Sequence, residues 1–257
     1  MHVVALDEGM EKLFWEHVNR DPLEFFWFVY DWKLYPDKTK IWLALDDNDK
    51  IAGLLLVHRD TVVQFRGIRD AVNALLDYAP VPEGAEVQSP LDCEDLVVGK
   101  YGSRYKVRLM LMNLTKGEEN IQISTVPERL GVGDAEEVVA LLREADPVWW
   151  GEMSAERLAA GSLKEALWFG IRQNGKLVSV GSARLTKLGV NNIGIIATKK
   201  EYRNRGYATS ITSALVKEIL KTSHTTIIHV LADNTPAVRT YTKAGFKPCK
   251  TYLAIRT

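Results

Sequence analysis

A basic turn that contains a glycine is the first stretch of the sequence that could do chemistry. It reads Arg203-Asn204-Arg205-Gly206-Tyr207-Ala208. If a helix begins here, its unpaired backbone N–H groups and the positive end of its dipole point together at whatever lies before the first turn. Gly206 and the small Ala208 let a ligand approach the backbone closely, and the two arginines add charge and forked donors. The pattern therefore predicts a site for a diphosphate group, although a solvated basic turn would use the same residues.

The elements that must hold this turn are predicted from the sequence on either side of it. Residues 193–198 form a short apolar run that is typical of a strand. From residue 206 to residue 222, apolar side chains recur at spacings of three and four, which predicts a helix. Residues 225–231 again have the pattern of a strand. The basic turn therefore lies between a strand and the start of a helix.

A second segment, residues 234–246, combines a helix-start signal with a tyrosine. Asn234 is a sound N-cap because Pro236 follows it in the first turn, and Gly245 is suited to end the helix. Tyr241 falls on the apolar face of this predicted helix. By spacing alone, Tyr241 is a half-buried core residue.

Together the two segments resemble the motifs of the GNAT superfamily of acyl-CoA N-acyltransferases. Residues 198–209 match its Arg/Gln-x-x-Gly-x-Gly/Ala signature, and residues 234–246 match its Asn-x-x-Ala-x-x-x-Tyr-x-x-x-Gly-Phe segment. The resemblance extends over residues 121–257 and implies acetyl-CoA as co-substrate, with no metal. The residues to which it gives a coenzyme-binding role are Ile196, Ala197, Thr198, Arg203, Asn204, Arg205, Gly206, Tyr207, Ala208, Thr209 and Asn234.

The same resemblance implies how the reaction is catalysed. It makes Tyr241 the general acid that protonates the leaving sulfur, and it assigns the oxyanion to a backbone N–H within residues 195–198, where the sheet opens and the pantetheine arm pairs like an added strand. The general base stays open. Four titratable residues near the motifs are candidates, and none stands out: Glu152, Glu201, His229 and Asp233.

Two tryptophans follow the first predicted helix of the C-terminal half, which spans residues 134–145. In this family the corresponding stretch borders the acceptor groove, so Trp149 and Trp150 would wall that groove. Packing into the core explains them equally well.

Before the helix, residues 121–125 have the pattern of a strand, and Asp134 with Glu137 has the spacing of a capping box.

An internal similarity indicates that the chain has two related halves. Trp42-Leu43-Ala44-Leu45 and Trp168-Phe169-Gly170-Ile171 each lead through a polar turn into a second apolar strand, as in a β-hairpin. Residues 115–120 are polar and mark the boundary. We therefore predict an α/β protein of two GNAT-like halves, each a mixed sheet flanked by helices: residues 1–116, and the catalytic residues 117–257.

The N-terminal half is predicted to be a degenerate copy. In the matching place it has Arg66-Gly67-Ile68-Arg69, which lacks the second small residue. Asp70 then puts a carboxylate at the helix start, where it would repel a diphosphate. We expect this half to bind no coenzyme and to act as a scaffold or to shape the acceptor groove. The two-half layout resembles the glycine N-acyltransferase-like branch.

Composition excludes several other classes of protein. Among 257 residues, 33 are Lys or Arg and 33 are Asp or Glu, so no bulk charge favours nucleic acid or an anionic membrane. The sequence shows no secretory signal and no apolar run long enough to span a bilayer, which predicts a cytoplasmic protein. Cys93 and Cys249 have no metal-ligand spacing and are ordinary side chains.

These observations predict an N-acetyltransferase that transfers an acetyl group from acetyl-CoA to a primary amine by direct attack on the thioester. Its acceptor would be a small molecule or a peptide. The sequence identifies neither the acceptor nor the oligomeric state. Two alternatives stay open, because no general base is evident and members of the family use different acyl-CoA donors. One is a coenzyme A-binding sensor or scaffold without catalysis, and the other is an N-acyltransferase for a longer acyl-CoA.

Overall fold

The computed structural model describes residues 1–78 and 81–257, without the side chains of residues 148 and 149. These residues form two units. The first comprises Met1–Leu111, Leu231–Asp233 and Cys249–Thr257, and the second comprises Met112–Val230 and Asn234–Pro248. This division differs from the predicted boundary after residue 116, because the end of the chain returns to the first unit. The predicted fold class, mixed sheets flanked by helices, is confirmed.

The first unit contains most of the N-terminal strands and helices. Strands β1 to β4 are antiparallel neighbours in sequence order, β5 runs parallel to β4, and the last strand, β12, is antiparallel to β5. The elements are β1 (His2–Ala5), α1 (Glu11–Val18), α2 (Phe26–Leu34), β2 (Thr39–Leu45), β3 (Ile51–His58), β4 (Val62–Gly67), α3 (Arg69–Leu75), β5 (Glu86–Pro90), α4 (Glu94–Tyr101), the start of β6 (Tyr105–Thr115) and most of β12 (Lys247–Arg256).

The second unit contains the strand–turn–helix of the predicted site. Strands β7 to β10 are antiparallel neighbours, and β10 is parallel to β11. Its elements are β7 (Glu128–Arg129), α5 (Ala135–Ala145), α6 (Pro147–Trp150), α7 (Ala155–Ala160), α8 (Ser162–Glu165), β8 (Leu167–Gln173), β9 (Lys176–Arg184), β10 (Val190–Thr198), α9 (Tyr207–Ile219), β11 (Thr225–Leu231) and α10 (Thr235–Ala244).

Both predicted hairpins are present, as β2–β3 and β8–β9. In the second hairpin, Asn174 and Gly175 have φ of +51° and +76°. Positive φ at both central positions gives a turn whose twist matches the twist of the strands, and this is why Asn-Gly is favoured there. The local turn chemistry is therefore what made this hairpin predictable.

The aromatic stretch at the start of α2 packs onto the sheet of the first unit. Phe28 is fully buried and lies in a cluster with Phe14, Leu43 and Leu54. Phe28 therefore helps to pack this helix on its sheet. Among the described residues, no helix is both long and apolar enough to cross a membrane.

The predicted strand at residues 121–125 is wrong. This segment runs without strand pairing along α9, where hydroxyl groups accept its backbone N–H groups: Ser213 Oγ from Gln122 (3.0 Å), and Ser210 Oγ from Ser124 (3.2 Å) and Thr125 (3.3 Å). Because side chains of α9 satisfy these donors, the segment needs no neighbouring strand.

The predicted capping box at Asp134 and Glu137 is also wrong, although α5 begins where it was expected. No side chain caps α5 at Asp134. The Asp134 carboxylate instead accepts from Gly131 N (2.9 Å) and from Arg172 Nη2 (2.7 Å), and Glu137 accepts from Arg172 Nη1 (2.6 Å). A charged partner on β8 offers stronger hydrogen bonds than the helix start does, so both carboxylates turn to it.

Gly245 lies where the end of α10 packs tightly against the backbone at Glu118. It ends α10 with φ of +108°, and a Cβ there would lie 2.3 Å from the carbonyl oxygen of Glu118. We expect Gly245→Ala to lower the free energy of unfolding by roughly 3 kcal/mol or more, because strain and a backbone clash add. Gly175→Ala is the control: its φ is also positive, but nothing lies within 4 Å, so about 1 kcal/mol is expected. Urea unfolding of both variants measures these free energies. Equal losses in the two variants would show that the predicted clash at Gly245 is wrong.

Candidate functional site

The basic turn adopts the backbone shape that only a few residue types allow. Strand β10 ends at Thr198, and the chain passes through one 3-10 turn, Lys200–Tyr202, before α9 begins at Tyr207. Asn204 has φ of +62°, and Gly206, the N-cap of α9, has φ of +81°. Glycine and asparagine are the residues that enter this left-handed region most readily. Their placement in the motif is thus explained by the turn.

The start of α9 is open for an anion. The helix is 13 residues long, and none of the described side chains caps it. Its first backbone N–H groups therefore lack intrahelical partners and point toward the turn. A Cβ at Gly206 would have one neighbour within 4 Å among the described residues, Ser124 Oγ at 3.3 Å. This cradle of N–H groups beside an exposed glycine fits a diphosphate, and any larger side chain at position 206 would fill it.

Two hydrogen bonds hold the arginines of the turn. Arg203 Nε donates to Thr198 O (3.2 Å), and Arg205 Nη2 donates to Glu201 O (3.1 Å). The Arg205 guanidinium also lies over the Tyr202 ring, 5.1 Å from its centroid. Each guanidinium has five N–H donors, so these contacts orient the arginines and leave donors for a ligand. Both side chains belong to exposed residues, where an anion can reach them.

The sheet of the second unit opens beside the cradle. Among the described residues, the parallel pairing of β10 with β11 ends at Ile193 and Ile228, whereas β10 stays paired with β9 as far as Thr198 and Ser179. A register shift between Ile193 and Ile195 accompanies the change. Beyond this bulge, the edge of β10 that faces away from β9 has backbone groups without a strand neighbour. Residues 195–198 can therefore bind an extended chain or an oxyanion by backbone hydrogen bonds.

Side chains on both faces of β10 fix this edge. Ile195 and Ala197 pack against the cluster around Leu142 and Trp168 on one face. On the other face, Ile196 Cδ1 occupies the space that a Cβ on Gly181 would need, at 2.6 Å. The strand is thus anchored by packing, while its backbone edge stays open.

The second motif forms the helix that the sequence predicted. Asn234 Oδ1 accepts from Ala237 N (3.3 Å) as the N-cap of α10, and Gly245 ends the helix in the left-handed conformation. Tyr241 is 6 % exposed, and its ring lies 6.1 Å from that of Phe246. Burial raises the pKa of Tyr241 above its ordinary value, so the phenol keeps its proton at neutral pH. None of the described residues hydrogen-bonds to its hydroxyl.

The structure singles out no general base among the candidates. Glu152 and Glu201 are exposed, His229 is a partly buried residue of β11, and Asp233 belongs to the first unit. None of these four groups forms a hydrogen bond with Tyr241 in the described part of the chain.

The two tryptophans have different outcomes. Trp150 is partly buried and packs on the cluster that contains Leu142, Leu158 and Trp168, which supports core packing. The side chain of Trp149 lies outside the described residues, so its assignment to the acceptor groove stays a prediction.

Sequence reasoning missed the segment that adjoins the cradle. Ser124 lies beside Gly206, and it is held there by Ser210, whose hydroxyl is fully buried on α9. The signal for this contact was the run of polar residues on the buried face of α9, which also includes Thr212 and Ser213. Polar groups on an otherwise apolar face indicate that hydrogen-bond partners cover them.

The corresponding place in the first unit differs from the start of α9 in the second. Pairing of β4 with β5 ends at Gln64 and Gln88 among the described residues, so an opening exists here too. However, α3 spans only seven residues, and Asp70 lies in its first turn. Arg69 is engaged by the Asp95 carboxylate, with Nη1 to Oδ1 at 2.7 Å.

A pocket of about 530 Å³ in this first unit is lined by Gly67 and Ile68, and also by Lys250. The Lys250 ammonium bonds to the carboxylates of Asp21 (3.0 Å) and Glu24. Because acidic groups already balance its charge, this pocket offers no excess of positive charge to a diphosphate.

Comparisons with known proteins agree with this geometry. Residues 168–254 match the model of the FR47-like protein family. A comparison with curated proteins gave no match. The chain superposes on a Drosophila protein with a TM-score of 0.72 at 14% identity, over 99% of this chain and 97% of that one. It superposes on a GCN5-related N-acetyltransferase from Sphaerobacter thermophilus with a TM-score of 0.59 at 17% identity, covering 84% and 80%.

A third similar structure is a tandem GNAT protein from the clavulanic acid biosynthesis pathway. Its TM-score is 0.57 at 12% identity, over 90% of this chain and 86% of that one. At these identities the structural likenesses show the fold. Residues 168–254 match the FR47-like family, and the chain has the fold of the GNAT proteins on which it superposes, which supports the predicted resemblance to the GNAT superfamily.

Proposed function

We propose that this protein is an N-acetyltransferase that transfers an acetyl group from acetyl-CoA to a primary amine. One observation carries the proposal: a left-handed Gly206 opens the N-terminus of α9, and the strand that leads to it, β10, is no longer paired with β11 beyond Ile193 among the described residues. A diphosphate at the helix start and an extended pantetheine arm along residues 195–198 would use both features of the same corner. The FR47-like domain at residues 168–254 includes this corner.

The residues at the site account for the chemistry of amide formation without a nucleophilic side chain. The acceptor nitrogen attacks the thioester carbonyl, and the oxygen that gains negative charge accepts a hydrogen bond from a backbone N–H of β10. As the C–S bond breaks, the Tyr241 hydroxyl donates its proton to the leaving sulfur. The proton lost by the acceptor nitrogen then restores the phenol through solvent. The amide and the free thiol are the products.

The burial of Tyr241 suits this role. A phenol with a raised pKa stays protonated over the neutral range, so it acts as a donor and not as a base. The described residues supply no competing acceptor for its proton. A purely structural tyrosine would ordinarily hydrogen-bond its buried hydroxyl to the protein.

A coenzyme-binding sensor without catalysis is the second candidate. It is favoured by one observation, that the described residues show no hydrogen bond between the Tyr241 hydroxyl and a carboxylate or an imidazole. Such a protein would bind coenzyme A and release no thiol with any amine. For the first unit we propose a scaffolding or acceptor-shaping role without coenzyme binding, because α3 is short and begins with Asp70.

Gly206→Asp tests the cradle. The substitution adds a side chain and a negative charge where the diphosphate would lie, so we expect the affinity for coenzyme A to fall by roughly tenfold or more. Isothermal titration calorimetry on the full chain measures it. Gly175→Asp is the matched control, since Gly175 also has positive φ and open surroundings but lies in the β8–β9 turn. Unchanged affinity in Gly206→Asp would show that the coenzyme diphosphate does not bind at the start of α9.

Tyr241→Phe tests the acid. We expect thiol release from acetyl-CoA, followed with a panel of amines, to slow by about 10²-fold, with coenzyme affinity unchanged. Tyr105→Phe is the control, because Tyr105 is 54 % exposed in the first unit. A Tyr241→Phe variant as fast as the parent would reject the assignment. A parent that binds coenzyme A but acetylates no amine would favour the sensor.

A further inference from the structure

The hydroxyl groups between α9 and the segment before β7 form a small network whose proton positions can be assigned. Ser210 Oγ lies within hydrogen-bond distance of three groups: Ser124 N (3.2 Å), Thr125 N (3.3 Å) and Ser124 Oγ (3.2 Å). Ser210 is fully buried on α9. The backbone N–H groups can only donate, so the first two bonds have Ser210 as acceptor.

Counting lone pairs then sets the direction of the third bond. A hydroxyl has one proton to donate and two lone pairs to accept with. The two backbone N–H groups occupy both lone pairs of Ser210 Oγ, so Ser210 must donate its own proton to Ser124 Oγ. Ser124 is therefore the acceptor in the hydroxyl pair, and its own proton stays available for another partner.

The available proton lies at the mouth of the cradle. Ser124 is exposed, and its Oγ is 3.3 Å from the place that a Cβ on Gly206 would occupy. Among the described residues no acceptor receives this proton. The first N–H groups of α9 and the Ser124 hydroxyl therefore border the same space, from the helix on one side and from the segment at residues 122–125 on the other.

We propose that Ser124 donates a hydrogen bond to a diphosphate oxygen of the coenzyme, and that Ser210 is the positioning residue that orients it. This inference rests on the proposed function, because it concerns the same cradle. It adds a ligand from outside both sequence motifs and makes the segment at residues 122–125 the second wall of the site. A hydrogen bond from a hydroxyl to a phosphate oxygen is charge-assisted, so its loss should be measurable.

The experiment is a calorimetric titration of the full chain with coenzyme A and with 3′-dephospho-coenzyme A, which keeps the diphosphate. We expect Ser124→Ala to bind both probes roughly tenfold more weakly than the parent. Ser124→Thr, which keeps the hydroxyl, should recover most of the affinity. Ser103→Ala is the matched control, since Ser103 is an exposed serine of the first unit.

Ser210→Ala separates positioning from direct contact. It removes the group that orients Ser124, so we expect the affinity for both probes to fall. Adding Ser124→Thr to this variant should not restore the affinity, because the hydroxyl would still lack its orienting partner. A thermal melt of each variant reports whether the chain is still folded.

The outcomes distinguish this inference from the proposed function. If the parent binds neither probe, both the Ser124 inference and the proposed function are overturned. If the parent binds and Ser124→Ala binds equally well, only the Ser124 assignment is overturned. It is also overturned if Ser124→Ala weakens coenzyme A but not the 3′-dephospho form, because the contact would then be to the 3′-phosphate. Equal weakening of both probes supports it.

Discussion

The site depends on backbone N–H groups that the fold leaves without partners at the start of α9. Two features maintain this state: the left-handed Gly206 turns the chain into the helix without a capping side chain, and β10 has already parted from β11 at Ile193. Unpaired backbone donors near a packed core cost free energy unless something accepts from them. A polyanionic ligand would accept from several of them at once, as the proposed function requires.

The rest of the second unit holds this corner rigid. Packing of Ile195 and Ala197 on the cluster around Trp168 fixes one face of β10, and Gly181 leaves room for Ile196 on the other. On α9, buried hydroxyls replace part of the apolar contact and hold the chain segment at residues 122–125 by its backbone. These contacts hold the backbone of the proposed site in place.

Local chemistry made much of this predictable from the sequence. The turn at Asn204 and Gly206, the Asn174-Gly175 hairpin and the Asn234 cap each depend on the φ preference or hydrogen bonding of a few adjacent residues. Residues 121–125 were misassigned because alternating apolar residues resemble a strand, while their partners are hydroxyls far along the chain. The return of residues 249–257 to the first unit is likewise long-range. The capping box failed because Arg172, on another element, competes for its carboxylates.

The most direct measurement is of the amide groups themselves. Nuclear magnetic resonance of the ¹⁵N-labelled full chain, titrated with coenzyme A, reports each backbone N–H separately. We expect the largest amide shifts at Gly206, Tyr207, Ala208 and Thr209, with a second set along residues 195–198. Shifts confined to other parts of the chain, or no shifts at saturating coenzyme, would contradict it.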